Sequence, residues 1–367
     1  MHLNSLALVN FKNYKEATLE LSPDINIFIG ENGAGKTNVL DAVYYLAFCR
    51  SFLNPIDKQC IRIDEKFFLL QGSFVKEEKK IAITCSVKEG QKKKVTRNKK
   101  EYEKLADHIG EFPAVVISPY DRNLISEGSE TRRKFIDSII SQFDRNYLET
   151  LIRYNKVLQQ RNALLKQFQE MRIFDLESID VWDLQLIDLG NVIHKKRSAF
   201  LLDFIPVFQK YFNLISNNKE EIDIHYKSQL IEEDFATLLR KSHRKDNALG
   251  YTNVGIHKDD LVFLIHQQPI KKFGSQGQQK SFLIALKLAQ FELVSGLLKK
   301  KPILLLDDIF DKLDHLRVAH LMQLISDHIF GQVFISDTDR DRIEKVFDGI
   351  KIERKLFTVN QGNIEEG

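Results

Sequence analysis

The chain is poor in the features that mark secreted or membrane proteins. It has three cysteines in 367 residues, Cys49, Cys60 and Cys85. Their odd count and lack of metal-ligand spacing argue against a disulfide framework or a zinc site and leave reduced core thiols as the reading. No apolar stretch reaches membrane-span length, and the opening Met-His-Leu-Asn-Ser lacks the basic-then-apolar order of a secretory signal. A cytoplasmic protein without a membrane partner is therefore expected. Charge of one sign is also scarce: 54 basic against 51 acidic residues leave +3. That is too little to announce nucleic-acid binding, so any DNA surface has to be local. No internal repeat or low-complexity linker stands out. With 43% hydrophobic and 29% charged residues, the chain has the composition for one large or two moderate domains with proper cores.

What is present concentrates in two segments separated by most of the chain. Residues 25–29, Ile-Asn-Ile-Phe-Ile, are a short apolar run suited to a buried strand. Gly30-Glu31-Asn32-Gly33-Ala34-Gly35-Lys36-Thr37 follows at once, and Thr37 to Phe48 reads as a helix with Leu40, Val43, Tyr44 and Ala47 on one face. Strand, G-x-x-x-x-G-K-T loop and helix form the setting of a phosphate loop. Its glycines let backbone N–H groups turn inward on phosphates, and the helix N-terminus adds partial positive charge. Lys36 is placed for the β- and γ-phosphates and Thr37 for Mg²⁺. ATP or GTP binding follows.

The second segment supplies the rest of a site. Ile303-Leu304-Leu305-Leu306 reads as a buried parallel strand ending in Asp307-Asp308, and acids at such a strand end lie where open α/β sheets bind ligands. Asp307 is the candidate Mg²⁺ ligand, and Asp308 the candidate general base for the attacking water. About thirty residues earlier, Ser275-Gln276-Gly277-Gln278-Gln279 precedes an amphipathic helix, Lys280 to Leu298. This is the arrangement of an ABC-type ATPase signature. Ser275 and Gly277 offer a hydroxyl and N–H groups at a helix start, a site for a phosphate held by a partner copy. A plain helix-entry loop would look similar. Asp311-Lys312-Leu313-Asp314 lies where a loop communicating across a dimer is expected.

Taken in order, the motifs resemble the RecF family, SMC-like recombination-mediator ATPases, essentially from end to end. The resemblance rests on Asn10-Phe11-Lys12-Asn13-Tyr14, the loop Glu31 to Asn38, Ser118-Pro119-Tyr120-Asp121, and Arg132-Arg133-Lys134-Phe135-Ile136-Asp137. It continues through Gly255-Ile256-His257-Lys258-Asp259-Asp260, Ser275 to Lys280, and Asp307-Asp308. Lys12 and Lys258 stand where the family pattern has arginine, and Tyr120 where it has glutamate. Ile335-Ser336-Asp337-Thr338 occupies the place of a histidine switch, making Asp337 and Thr338 candidates for sensing the γ-phosphate. The resemblance adds Asn38 to the nucleotide-binding candidates. It implies an ABC-type head, slow ATP hydrolysis that requires a dimer, and pairing of two copies on ATP. It also implies binding of duplex DNA and single-strand/double-strand junctions, and action with RecR and RecO in loading RecA at gaps.

The expected fold is α/β: an ABC-type P-loop head, with a parallel core sheet beside an antiparallel layer, and an inserted helical lid or arm. Residues 1–125 are assigned to the head with the phosphate loop, 126–245 to the mainly helical arm, and 246–367 to the head with signature and Asp307-Asp308. Alternating stretches at 2–9, 15–21, 67–75, 81–88 and 94–98 supply the antiparallel layer, and Ala114 to Ile117 a core strand. In the arm, Ile179, Trp182, Leu186, Leu189 and Ile193 form a seam facing a helix around Leu148 to Leu165. The roughly 240 residues between loop and signature are too few for SMC-length coiled arms.

For DNA, the candidate cations are Lys92, Lys93, Lys94, Arg97, Lys99 and Lys100, six in nine residues with no acid, then Arg132 and Arg133. Such a cluster carries backbone binding by counterion release. It equally suits a solvated hairpin edge that discourages strand pairing. The two arginines equally suit the nucleotide or a dimer contact.

Overall fold

A computed structural model describes all residues except 217–219, 310–322, 324–329 and 350–351, so the Asp311–Asp314 segment lies outside the described residues. The chain forms two compact units: residues 1–121 with 286–367, and residues 122–285, inserted between them in sequence.

The first unit contains two six-stranded sheets. One runs in the order Asn363–Glu366, Arg354–Asn360, Ile25–Ile29, Val333–Asp337, Ile303–Asp307, Ala114–Ile117. All pairings are parallel except the final hairpin Arg354–Asn360/Asn363–Glu366. Its central strands are buried at every position, which is why they read as unbroken apolar runs. The other sheet is antiparallel, in the order Tyr14–Glu20, His2–Phe11, Phe67–Lys76, Lys79–Lys88, Lys94–Arg97, Lys100–Glu101. Here burial alternates, Ile81, Ile83, Cys85 and Val87 facing inward, the period-two pattern that made these strands legible.

Helix Lys36–Phe48 packs on strands of both sheets. The expectation of a single apolar face for it is corrected: eleven of its thirteen residues are buried, because a helix between two layers meets protein on both sides. Gly72 marks the approach, since a Cβ there would lie 2.7 Å from Leu46 and 2.9 Å from Leu3. The three cysteines are buried and free of disulfides.

The second unit is built on helices Ser129–Phe143, Arg145–Met171, Leu176–Ser216 and Phe235–Leu249. Ile179, Leu186, Leu189 and Ile193 are buried in the expected seam, with Trp182 half-buried. The unit also carries an antiparallel sheet, Gln268–Pro269, Asp260–Ile265, Ile222–Lys227. The second boundary therefore differs from the expected 245/246. Strand Asp260–Ile265 pairs with Ile222–Lys227, and Phe282 packs its ring 4.6 Å from Phe208 and 5.1 Å from Phe263. Residues 246–285 thus share their core with the arm.

By length and composition alone helix Gln276–Leu298 could cross a membrane, a test that core helices also pass, and 67% of its most apolar stretch is buried in the protein. Phe282, Ala285, Leu286, Ala289 and Val294 are among its buried residues, as in a core helix.

Candidate nucleotide site and signature helix

Parallel pairing fixes what meets at the C-terminal edge of the first sheet. Asp307 is in register with Ser336, and Asp337 with Ile29, so the phosphate loop, the acid pair and the end of strand Val333–Asp337 share one edge. The loop turns on Gly33 at φ 82° and Gly35 at φ 119°, left-handed conformations that glycine adopts without steric cost. Lys36 is buried, and its ammonium donates to the Gly30 carbonyl at 2.9 Å and the Glu31 carbonyl at 3.0 Å. Those bonds hold the cation against the loop it is expected to serve.

Beneath the loop, the Thr37 hydroxyl donates to Asp307 Oδ1 at 2.8 Å and the Ser336 hydroxyl to the same oxygen at 2.7 Å. The Asp308 N–H donates to Ser336 Oγ at 3.0 Å. Burial holds the Asp307 carboxyl above its ordinary range, with Asp308 adding to the effect, while Ser336, Thr37 and Lys36 oppose it. A hydroxyl and a carboxylate in contact are a hard-oxygen donor pair suited to Mg²⁺, so the donor set fits that ion. Asp308 is half-exposed at φ 45°, a backbone region uncommon for a non-glycine residue. Sequence reading passed over Ser336, which ties Asp307 to Asp308. The signal was its place in register with Asp307.

Asp337 is buried. Its Oδ1 accepts from the Asp339 N–H at 2.8 Å and Arg342 Nη2 at 3.0 Å, and its backbone carbonyl accepts from the Gly30 N–H at 3.3 Å. Burial raises its carboxyl too, with Asp308 contributing. Thr338 is exposed. Lys12 is held in an ion pair with buried Asp41 at 2.6 Å. Asp41 also accepts from the Ser51 hydroxyl at 2.7 Å and the Phe52 N–H at 2.8 Å. The Lys12 cation is thus engaged within the protein. In the Ser118–Asp121 segment, Asp121 pairs with Lys287 at 2.7 Å and accepts from the Ser118 N–H at 2.8 Å, while Tyr120 is exposed.

The signature lies in the second unit. The helix begins at Gln276, earlier than expected, placing Gly277 and Gln278 in its first turn. The Ser275 N–H donates to Gln278 Oε1 at 2.6 Å, and the Gln278 N–H to Ser275 Oγ at 3.2 Å. This is a reciprocal capping box. Gln278 Nε2 also donates to Glu220 at 2.7 Å. Ser275 and Gln276 are exposed. The helix-entry and phosphate-binding readings therefore coexist in the same residues.

Several candidate DNA cations are committed elsewhere. Lys93 donates to Asp57 at 2.7 Å and the Cys49 carbonyl at 2.5 Å, and Arg97 pairs with Glu111 at 2.9 Å. Arg132 binds Asp260 through two nitrogens at 2.7 and 3.0 Å, and donates to the Leu124 and Glu127 carbonyls. Arg133 donates to Ser129 Oγ at 2.7 Å and the Asp259 carbonyl at 2.6 Å. Lys93, Arg132 and Arg133 are thus engaged in internal links, whereas Arg97 stays exposed in a surface pair with Glu111. Lys92, Lys94, Lys99 and Lys100 remain exposed. Lys99 sits with Asn98 in a tight hairpin turn, both at positive φ, and Lys100 follows it opposite Arg97.

The Gly255–Asp260 motif is likewise internal. Asp259 accepts from Arg197 at 2.8 Å and Tyr226 at 2.5 Å. His257 meets Tyr154 at 2.9 Å, and burial lowers its pKa to about 4. Lys258 alone is exposed, over the Tyr251 ring.

Residues 2–361 match the family described as the RecF/RecN/SMC N terminal domain. The chain is 51% identical to the DNA replication and repair protein RecF of Flavobacterium johnsoniae over 359 residues, 98% of this chain and 100% of the relative. It is 48% identical to the protein of the same description from Phocaeicola vulgatus, covering 100% of this chain and 98% of the relative. Among solved structures it resembles the recombination mediator protein RecF with ATP, in the RecFOR pathway. There the TM-score is 0.90 at 29% identity, with 100% of this chain and 97% of the other covered.

Proposed function

The chain belongs to the RecF family, and from that premise we propose that it is an ATP-dependent DNA-binding protein of recombinational repair and replication restart. Two copies pair on ATP, grip DNA at single-strand gaps or junctions, assist RecA loading together with RecR and RecO, and release on slow, DNA-stimulated hydrolysis in the cytoplasm. The observation that carries this reading is the cluster beneath the phosphate loop, where Thr37 and Ser336 converge on Asp307 and Ser336 receives the Asp308 N–H.

Loop N–H groups and Lys36 cradle the β- and γ-phosphates. Thr37 and Asp307 hold Mg²⁺, which when bound neutralises charge on the phosphates. Asp308 accepts the proton of the attacking water as its oxygen bonds to the γ-phosphorus and the bond to the β–γ bridging oxygen breaks. The exposed start of the signature helix, Ser275 to Gln278, contacts the γ-phosphate held by the second copy. Hydrolysis is slow because that contact exists only in the dimer. Lys92, Lys94, Arg97, Lys99 and Lys100 are the exposed cations offered to the DNA backbone.

Sedimentation velocity of wild type and Ser275→Arg, with and without ATP–Mg²⁺ and gapped DNA, tests the reading. Wild type is expected to dimerise only with ATP and to carry DNA as the dimer, with the variant monomeric throughout. A wild type that binds ATP and stays monomeric removes the trans role of the signature.

A further inference from the structure

A phosphate loop works by turning backbone N–H groups inward, which forces the carbonyls of the same peptides outward. The outward carbonyl of Ala34 sits between the two left-handed glycines and precedes the helix, whose first backbone bonds go to the Gly35 carbonyl instead. Two donors from distant parts of the chain converge on it. Asn13 Nδ2 donates at 2.9 Å and the Gly362 N–H at 3.1 Å. The Asn13 amide is itself oriented, because its Oδ1 accepts from Asn38 Nδ2 at 2.7 Å, leaving its NH₂ to face Ala34. One residue on, the Tyr14 hydroxyl donates to the Gly35 carbonyl at 3.0 Å.

The turn at Gly362 is built to reach this point. Gly362 has φ 83°, and a Cβ there would lie 2.7 Å from the Asn13 carbonyl. On the other flank a Cβ on Gly30 would collide with the Val359 carbonyl. The N-terminal strand pair and the C-terminal hairpin thus close on the loop from outside.

We propose that Asn13 is a positioning residue for nucleotide binding. With Gly362, it fixes the Ala34–Gly35 peptide so that the Gly35 N–H points to the phosphates. Because the peptide is planar and trans, pinning its carbonyl outward aims its N–H inward. The C-terminal hairpin is thereby part of the nucleotide site through its support of the loop. The proposal rests on the phosphate-binding reading of the loop and on neither the dimer nor DNA.

The test is calorimetric titration of ADP–Mg²⁺ and ATP–Mg²⁺ into wild type, Asn13→Asp, Gly362→Ala and Asn38→Ala, with steady-state phosphate release alongside. Asn13→Asp is isosteric but sets a carboxylate against the Ala34 carbonyl. Losing that bond is expected to weaken ADP and ATP alike by about tenfold or more. Gly362→Ala is expected to shift affinity in the same direction. Asn38→Ala, which leaves the loop carbonyls untouched but frees the Asn13 amide and removes a side chain of the expected nucleotide-binding set, is expected to weaken binding at least roughly threefold. KM for ATP rises in each case while kcat at saturation stays within about twofold, the signature of lost ground-state binding. A folded Asn13→Asp that binds ADP within about twofold of wild type overturns the proposal. Should Asn13→Asp fail to fold, unchanged ADP affinity in Asn38→Ala overturns it as well. A wild type that binds neither nucleotide would instead sink the phosphate-loop reading itself.

Discussion

Asp307 of the phosphate-loop unit is buried in a different way from the acids of the inserted unit. In the inserted unit, buried acids meet arginines. Arg161, fully buried, binds Asp183 at 2.5 Å and Asp246 at 2.7 Å, and Arg197 binds Asp137 at 3.0 Å and Asp259 at 2.8 Å. In the phosphate-loop unit, Asp307 is as deeply buried, yet hydroxyls of Thr37 and Ser336 are its side-chain hydrogen-bond partners among the described residues. A buried carboxylate joined to hydroxyls, at the ligand-binding edge of a parallel sheet, is poised for an added cation, whereas one locked to arginine is part of the framework. The same unit contains two controls, since Asp41 is tied to Lys12 and Asp337 to Arg342. The partner of a buried acid thus separates chemistry from scaffold.

That comparison can be broken most sharply by function. Asp308→Asn is expected to lower ATP turnover by roughly 100-fold or more while nucleotide still binds, as for removal of a general base. Phosphate release and calorimetric binding on one preparation check it, and parental turnover would remove Asp308 from that role.

The next largest effect belongs to the framework acids. Arg161→Met leaves Asp246 buried without its cation and Asp183 with His243 alone, and is expected to cost about 3–5 kcal/mol in denaturant unfolding. Loss under about 1 kcal/mol would place Arg161 among arginines that add little.

Asp307→Asn should behave in the opposite sense. Because burial raises its folded carboxyl above the unfolded value, the folded state binds the proton more tightly, and ionising Asp307 costs stability as pH rises from the ordinary aspartate range through the raised folded value. Without nucleotide or Mg²⁺, the variant is expected to match wild type in acid and to melt at an equal or higher temperature above that window. Its ATP turnover should nevertheless be lost. Melting curves across pH read the sign directly, and a variant clearly less stable at neutral pH would make Asp307 a framework acid.

The smallest effect concerns the signature. Ser275→Ala removes one half of the capping box and is expected to destabilise by about 1 kcal/mol. Ser275→Thr, which keeps the capping oxygen, should restore most of it.

The phosphate loop and the strands of the first unit were legible because their signals are local. A glycine-rich turn between an apolar run and a helix, or alternation with period two, survives without tertiary context. The strand Ala114–Ile117 was read with its observed bounds. The signals that failed are those only packing decides. Arg132 and Arg133 look like any basic pair until Asp260 and the Asp259 carbonyl are found beside them, and the six-cation cluster loses Lys93 to Asp57 in the same way. Ser336 is one serine among many until parallel register sets it beside Asp307. The arm boundary moved because Phe282 joins a cluster of rings far away in sequence.

The central claim is that one catalytic site is divided between two copies, and mixing tests it most directly. Lys36→Met disables the phosphate loop and Ser275→Arg the signature, so each alone is expected to hydrolyse ATP at background rate on gapped DNA. In a mixture, pairing of unlike copies reunites one intact loop with one intact signature, and turnover should reappear, rising and falling with the mixing ratio. Mixed dimers that form and yet hydrolyse no faster than the sum of the separate variants would contradict the account.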